Sequence, residues 1–371
     1  MADTPLPEDT IQTKRPKRSQ VENLDRIRQV WPWVFFLLLV VSFSVASKVK
    51  NDVNFISVRS VQGILEYCVQ ILLIGLAETF IIITGGIDLS VGWTVGFASV
   101  IAAQVMQRLY AAGAPPIEVI AFGALGGILV AVLPGLINGI LIARVKVPSF
   151  IATLGVGTLV EGVALIRSGG YPVAKQPPYL GSIGNGFLLR YWPGKGVHFF
   201  SIPKEATSAD LPDIISLIPI IVIIAAIVTF ACWFILAKTQ FGQHLYAIGG
   251  NKEASLRAGI PVERTLIKVY ILASVLAGIT GVIWASRFTS GAYNAGEPLT
   301  MTAIAAVVIG GASLFGGEGT VVGTIIGSLI IATIQYGLVI LGVVPFWQYV
   351  AVGVVLILAV VVDQFGRQLG K

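Results

Sequence analysis

Six stretches of this 371-residue chain run for 18 to 25 residues without a charged side chain: residues 29–47, 89–107, 119–143, 214–237, 269–286 and 298–317. A helix needs about 20 such residues to cross the hydrocarbon of a bilayer, where no water is present to satisfy an open backbone. The runs therefore predict six crossings. Residues 63–85 and 147–166 read as two more, interrupted only by Glu66 and Glu78 in the first and by Glu161 in the second. The 44 residues between Glu318 and Asp363 are uncharged and broken by Gly342 and Pro345, which predicts two helices joined by a tight turn. The expected fold is thus all-α, a polytopic membrane protein with about ten transmembrane helices.

Composition agrees with that reading and removes the competing classes. Charged residues are 12% of the chain, about half the share of a soluble domain, while 55% are hydrophobic. An ordinary soluble enzyme, a disordered chain and a nucleic-acid binder are all excluded, the last despite a net charge of +6. In a membrane protein such charge reports which loops face the cytoplasm. Lys14, Arg15, Lys17, Arg18, Arg26 and Arg28 precede the first run, so the tail is expected inside, and an even number of crossings returns the C-terminus to the same side. This orientation gathers 15 of the 25 basic residues on the inner face, among them Arg144, Lys146, Lys252, Arg257 and Arg264 beside span ends.

The predicted organisation is a disordered basic cytoplasmic tail over residues 1–28 and a membrane domain over 29–371. The membrane domain includes an outer segment, 167–213, and an inner one, 238–268, both suited to docking partner proteins. The tail lacks the small-residue cleavage pattern of a signal peptide.

Chemistry-bearing residues are few. The two histidines, His198 and His244, both fall outside the runs, so an intramembrane nucleophile and base is not expected. Cys68 and Cys232 lie 164 residues apart inside apolar runs and suggest packing, not a disulfide or a metal centre. No G-x-x-x-x-G-K-[ST] string occurs, so the chain is not expected to hydrolyse ATP by itself or to carry a cofactor. The intramembrane acids Glu66, Glu78 and Glu161 are candidates because a carboxylate in hydrocarbon is costly. They line a proton pathway, or they are structural acids near helix ends or a wet cavity; no basic residue within a span is available to pair with them.

Three local patterns stand out. In residues 84–92, Gly85 and Gly86 end one helix, and Asp88, helped by Ser90, is placed to accept hydrogen bonds from free N–H groups opening the next, with Gly92 following. This is a capped turn, or a broken helix pair lining a pathway. A shorter echo lies 225 residues later, where Gly310 and Gly311 precede Ser313 at the place of Asp88. In the inner segment Asn251 is placed to cap a helix over residues 252–258, with Glu253 in its first turn, Arg257 in its last, and Gly259 and Pro261 stopping it. Such a helix is marginal alone, and serves either as a knob for a partner or as an ordinary surface helix.

The strings GGIDLSVG at 85–92, VPSFIATLGVGTLVEGVALIRSGG at 147–170, AIGGNKEASLRAGI at 247–260 and AIAAVVIGGASLFGGEGTVVGTIIG at 303–327 resemble the permease subunits of ribose-, xylose- and galactose-type ABC importers. These are inner-membrane components of binding-protein-dependent transport systems. The resemblance covers most of the chain after Val61, but not the tail or the outer segment after Gly170. It implies a permease in the bacterial cytoplasmic membrane, surrounded by membrane lipid and paired with an identical or related second permease. ABC ATPase subunits would hold the ATP and Mg2+, and a soluble sugar-binding protein would deliver a monosaccharide or a polyol. It also implies that residues 249–259 form the coupling helix, with Gly250, Asn251, Ala254 and Gly259 at matching positions. Many members of the family have an apolar or small residue near Glu78 and often a basic one near Glu161, so the resemblance implies that this chain departs from the pattern at both. The rival reading is a proton-coupled secondary transporter using Glu66 and Glu78.

Overall fold

The computed structural model describes residues 18–357, apart from 201, 203–204, 207–209, 211–212, 345 and 355–356, with side chains from Val30 onward. The first five helices are α1 (Arg18–Asn51), α2 (Val58–Ile83), α3 (Val91–Ala111), α4 (Pro116–Ala143) and α5 (Ser149–Ser168). After them come a 3-10 turn and the short α6 (Gly181–Gly184), then strands β1 (Phe187–Trp192), β2 (Gly196–Phe199) and β3 (Ile215–Pro219). The remaining helices are α7 (Ile220–Lys238), α8 (Gln240–Gly250), α9 (Lys252–Arg257), α10 (Val262–Phe288), α11 (Leu299–Ile309) and α12 (Val321–Ile340). Residues 346–354 are helical too.

Among the described residues, seven helices are long and apolar enough to cross a membrane: α1 from Val30, α2, α4, α5, α7, α10 and α12. The chain is a multi-pass membrane protein. Two expected spans take a different form. Helix α3 has 21 residues, but Gln104, Gln107 and Arg108 dilute its apolar character. Helix α11 has only 11 residues, a length of about 16 Å, too short to cross alone. Of the second helix expected beyond Pro345, residues 346–354 are described, and they are helical.

The gap before α11 has a physical explanation. Helix α10 ends where Thr289 adopts a left-handed conformation (φ 47°), and the chain turns back along α3 without regular structure. Ser99 Oγ donates to Ala292 O at 2.9 Å and accepts from Ala292 N at 3.1 Å. One turn on, a Cβ at Gly96 would collide with Tyr293 O, and Gly92 and Gly296 approach each other equally closely. Non-helical backbone is tolerated at membrane depth only where protein or a wet cavity satisfies it. Here α3 supplies both the hydrogen bonds and, through its glycines, the room.

The core centres on α4, α10, α3 and α2. Helix α4 buries Val119, Gly123, Gly127, Ala131, Gly135, Gly139 and Ala143, small residues at a strict spacing of four. That spacing forms one ridge, and its lack of side chains lets backbones approach. Gly135 faces Tyr270 O, Gly139 faces the Ile267 backbone, and Gly278 of α10 meets Ala131 and the Ile128 backbone in return.

Both ends of the bundle are tied. At one, the ends of α1 and α12 meet, with Lys50 Nζ donating to Leu341 O and Asn51 to Ile340 O. The same end carries the outer segment, whose structure corrects the all-α expectation: β2, β1 and β3 form a three-stranded antiparallel sheet. Pro193 and Gly194 (φ +80°) turn the β1–β2 hairpin, and Lys195 N bonds to Trp192 O. The expected span at 214 therefore starts as a strand, and the helix begins only at Ile220. Residues 18–28 of the expected tail belong to α1, while residues 1–17 lie outside the described residues.

Candidate functional site

The end of the bundle opposite the sheet gathers the three patterns singled out in the sequence. Helix α2 stops where Gly85 takes φ +78°, a conformation costly for any side chain. Asp88, fully buried, then folds over its own chain: Oδ1 accepts from Ser90 N at 2.7 Å and from Ser90 Oγ at 2.6 Å. Ser90 is the N-cap of α3 without a side-chain cap bond, so Asp88 secures the residue before the helix instead of its first-turn N–H groups. Neighbouring helices hold the rest of the turn. Ser90 Oγ accepts from Asn138 Nδ2 of α4 at 2.8 Å, Leu89 N donates to Thr153 Oγ1 of α5 at 3.1 Å, and Gly92 N donates to Thr300 Oγ1 of α11 at 3.1 Å.

The echo, at residues 310–320, joins α11 to α12. Gly310 seats against the Gly323 backbone, and Gly311 (φ +90°) turns the chain. Ser313 is buried and bonds locally: its N–H donates to Glu318 O at 3.1 Å, and its Oγ accepts from Phe315 N at 3.1 Å. Thr320 caps α12 by accepting from Gly323 N at 3.0 Å.

The inner segment docks between these turns. Thr239 caps α8, whose Gly249 lies so close to Ile83 O and Gly317 N that a Cβ there would strike both. Gly317 N donates to Ile83 O at 2.8 Å, and Gly316 sits against Gly85, so the two glycine turns and the end of α8 form one backbone junction. Tyr246 Oη donates to Gly319 O at 2.7 Å; burial holds its phenol above the ordinary value, so it remains a donor at physiological pH. Asn251 Oδ1 then accepts from Ala254 N at 2.9 Å and starts α9, which carries Glu253 and Arg257; Gly259 (φ +79°) ends it. Gly250 faces open space, and Lys252, Glu253 and Ala254 are exposed.

The intramembrane acids separate. Glu66 pairs with Arg287 of α10, Oε2 to Nη2 at 2.9 Å. The expectation that no span supplied a basic partner is thereby corrected: Arg287 lies one residue beyond the uncharged run that suggested the span. Glu78 lies 12 residues further along α2, about 18 Å away, and is fully buried with both carboxylate oxygens lacking a hydrogen bond. Glu161 on α5 is only half-buried. Among the described residues no group of three or more His, Cys, Asp or Glu is placed to hold a metal. An apolar cavity of about 390 Å³ lies between α2, α7 and α12, lined by Cys68, Val69, Thr229, Trp233 and Ile325 among others.

Sequence reasoning missed the non-helical run before α11 and the ridge on α4. The first left a signal in Thr289 to Pro298, a string with Gly291, Gly296 and Pro298 and no helical periodicity; the second was visible as small residues every fourth position.

The family described as branched-chain amino acid transport system / permease component matches residues 60–360. Among curated proteins, the ribose import permease protein of Bacillus subtilis is 36% identical over 338 residues, covering 91% of this chain and 93% of that protein. The galactose/methyl galactoside import permease protein of Haemophilus influenzae is 32% identical over 342 residues, covering 89% and 93% respectively. The fructose import permease protein of Rhizobium meliloti is 32% identical over 337 residues, covering 91% and 85%. No solved structure matches. The matched segment contains both glycine turns and the α8–α9 segment, and the chain belongs to this permease family, among the permeases of monosaccharide ABC importers, as a transport subunit and not an enzyme.

Proposed function

We propose that this chain is the translocation subunit of an ATP-driven importer in the bacterial cytoplasmic membrane, carrying a monosaccharide or a related polyol. Two permease copies, identical or related, form the pathway. A soluble sugar-binding protein delivers substrate at the sheet end, and ABC ATPase subunits bind the opposite end through α8 and α9. The basic residues near span ends, Arg144, Lys146, Lys252, Arg257 and Arg264, support a cytoplasmic position for that end.

The observation that carries this reading is the junction of Gly249 with Ile83 and Gly317. An ATPase that moves α9 pulls on α8, and α8 has no side chain at the contact to absorb the motion. Displacement passes directly to the end of α2 and to the turn that leads into α12. ATP binding then shifts the pathway only by its different affinity for the two arrangements, so the permease need hold sugar only weakly.

Detergent extraction of the chain from its native membrane should recover an ATPase. Gly259→Val, which puts a β-branched residue at φ +79°, should keep the folded yield while abolishing ATP-dependent uptake. A chain that purifies alone, with uptake that survives ATP depletion and collapses with the proton gradient, would replace this reading by the proton-coupled one.

A further inference from the structure

The apolar cavity between α2, α7 and α12 has no part in the transport reading. Leu65, Val69 and Leu72 line it from one face of α2, and on α7 its wall runs from Val222 to Trp233, eleven residues apart or about 16 Å. That length is about half of a 30 Å hydrocarbon layer, the depth of one leaflet. Ala226 and Phe230 line the cavity and are also exposed, and Ile227 and Phe234 beside them are exposed too. The cavity is therefore a groove that opens on the outer side of a membrane-spanning helix, where the solvent is lipid.

Size decides between two apolar occupants. A helix with its side chains is at least 10 Å across, so a 16 Å length of one needs about 1,200 Å³, whereas the cavity holds about 390 Å³. A single acyl chain is narrow enough to lie there, and it restores the dispersion contacts that an empty groove forfeits. Thr229 is the one hydroxyl among the lining residues, and its Oγ1 lacks a partner. It does not demand a polar occupant, because rotation about χ1 brings such a hydroxyl to the carbonyl of the preceding turn, as Thr79 reaches Gly75 O at 2.7 Å.

One end of the groove carries charge. Lys238, the last residue of α7, holds its Nζ 5.8 Å from the centre of the Trp233 ring, so an ammonium stands beside a residue of the wall. The next residue, Thr239, caps the 11-residue α8, whose N-terminus adds the positive end of a helix dipole at the same place. A bilayer presents phosphate at the ends of its spans, joined to the kind of chain that the groove accepts.

We propose that the groove between α2, α7 and α12 binds one phospholipid from the leaflet on the α8 side, with its acyl chain running from Trp233 towards Val222 and its phosphate held by Lys238.

The test uses the full-length chain, purified in detergent, delipidated and titrated with dioleoyl phosphatidylglycerol, with bound lipid counted by native mass spectrometry. We expect a first lipid to bind at concentrations at least tenfold below any further ones. Ala226→Phe puts a ring into the groove from an exposed position and should abolish that first site. Lys238→Glu should weaken it about tenfold. Ile227→Phe, exposed on α7 but outside the lining, should leave it intact. If Ala226→Phe does not fold, the wild-type titration and Lys238→Glu decide alone. A wild-type chain that binds lipids without a tight first site overturns the proposal. So does a tight site undiminished in Ala226→Phe, which places the lipid elsewhere, or in Lys238→Glu, which leaves the phosphate unheld. A disulfide between two copies carrying Phe230→Cys in native membranes also overturns it, because a second permease copy then covers the groove.

Discussion

The two glycine turns share a string and an end of the molecule, yet they are held in different ways. In the first, polar atoms reach out to three other helices: Ser90 to Asn138, Leu89 to Thr153 and Gly92 to Thr300. In the second, among the described residues, Ser313 bonds within its own loop, and ties to other elements include Gly317 N donating to Ile83 O and the Tyr246 hydroxyl donating to Gly319 O. One turn is anchored in the core and the other is attached to α8. Similar strings therefore do not mean similar duties: replacing Asp88 by Ser313 exchanges a carboxylate that holds a helix start for a hydroxyl that closes a loop.

The sharpest way to break this contrast is to separate both turns from α8 at once. Gly249→Val places a Cβ against two backbone groups, Ile83 O and Gly317 N, which no rotamer change relieves. The cost should reach or exceed the upper end of the roughly 1–3 kcal/mol typical of overpacking. Membrane insertion should survive while the folded yield by size-exclusion chromatography falls severely. A normal yield would mean that α8 is free of the turns.

Next in size is Asp88→Ala, which tests the anchored turn. It removes two bonds to a carboxylate, at roughly 1.5 kcal/mol each before the regained cost of burying the acid is subtracted, so a net loss of about 2 kcal/mol is expected. Ser313→Ala, at the matching place of the echo, removes one bond and should cost about 0.5–1 kcal/mol. Thermal unfolding of the two variants side by side checks the difference. Equal losses would erase the distinction between the turns.

Much of this was legible before any coordinates. The uncharged runs located α1, α4, α7 and α10, the acid-interrupted runs α2 and α5, and the uncharged stretch after Glu318 α12, because hydrophobic length largely determines whether a helix can span. Asn251 and Gly259 marked α9 because caps are local chemistry. What escaped was non-local. That residues 290–298 leave the helix depends on Ser99 and Gly96 of α3 offering a bond and a vacancy to a segment nearly 200 positions away. The outer sheet hid within a segment rich in Pro and Gly, although Pro193–Gly194 between two short apolar runs was a hairpin signal. For the site, the three strings were visible singly, but only folding reveals that glycines at 85, 249, 316 and 317 meet backbone to backbone, since glycine carries no chemistry to advertise a partner. Arg287 as the partner of Glu66 was missed for a similar reason: it lies 221 positions away and just outside the counted run.

The smallest predicted effect refines the contrast most finely. Tyr246→Phe removes only the hydroxyl that donates to Gly319 O, leaving the ring and the glycine junction in place. Stability should fall by about 1 kcal/mol or less, because the freed carbonyl lies near a surface that water can reach. If the second turn follows α8 through this bond, amide exchange should quicken in residues 313–320 and stay unchanged in residues 85–92, where Asn138, Thr153 and Thr300 still hold the chain. Faster exchange in both turns would mean that the junction responds as one body, and the difference between an anchored and an attached turn would then lie in composition and not in motion.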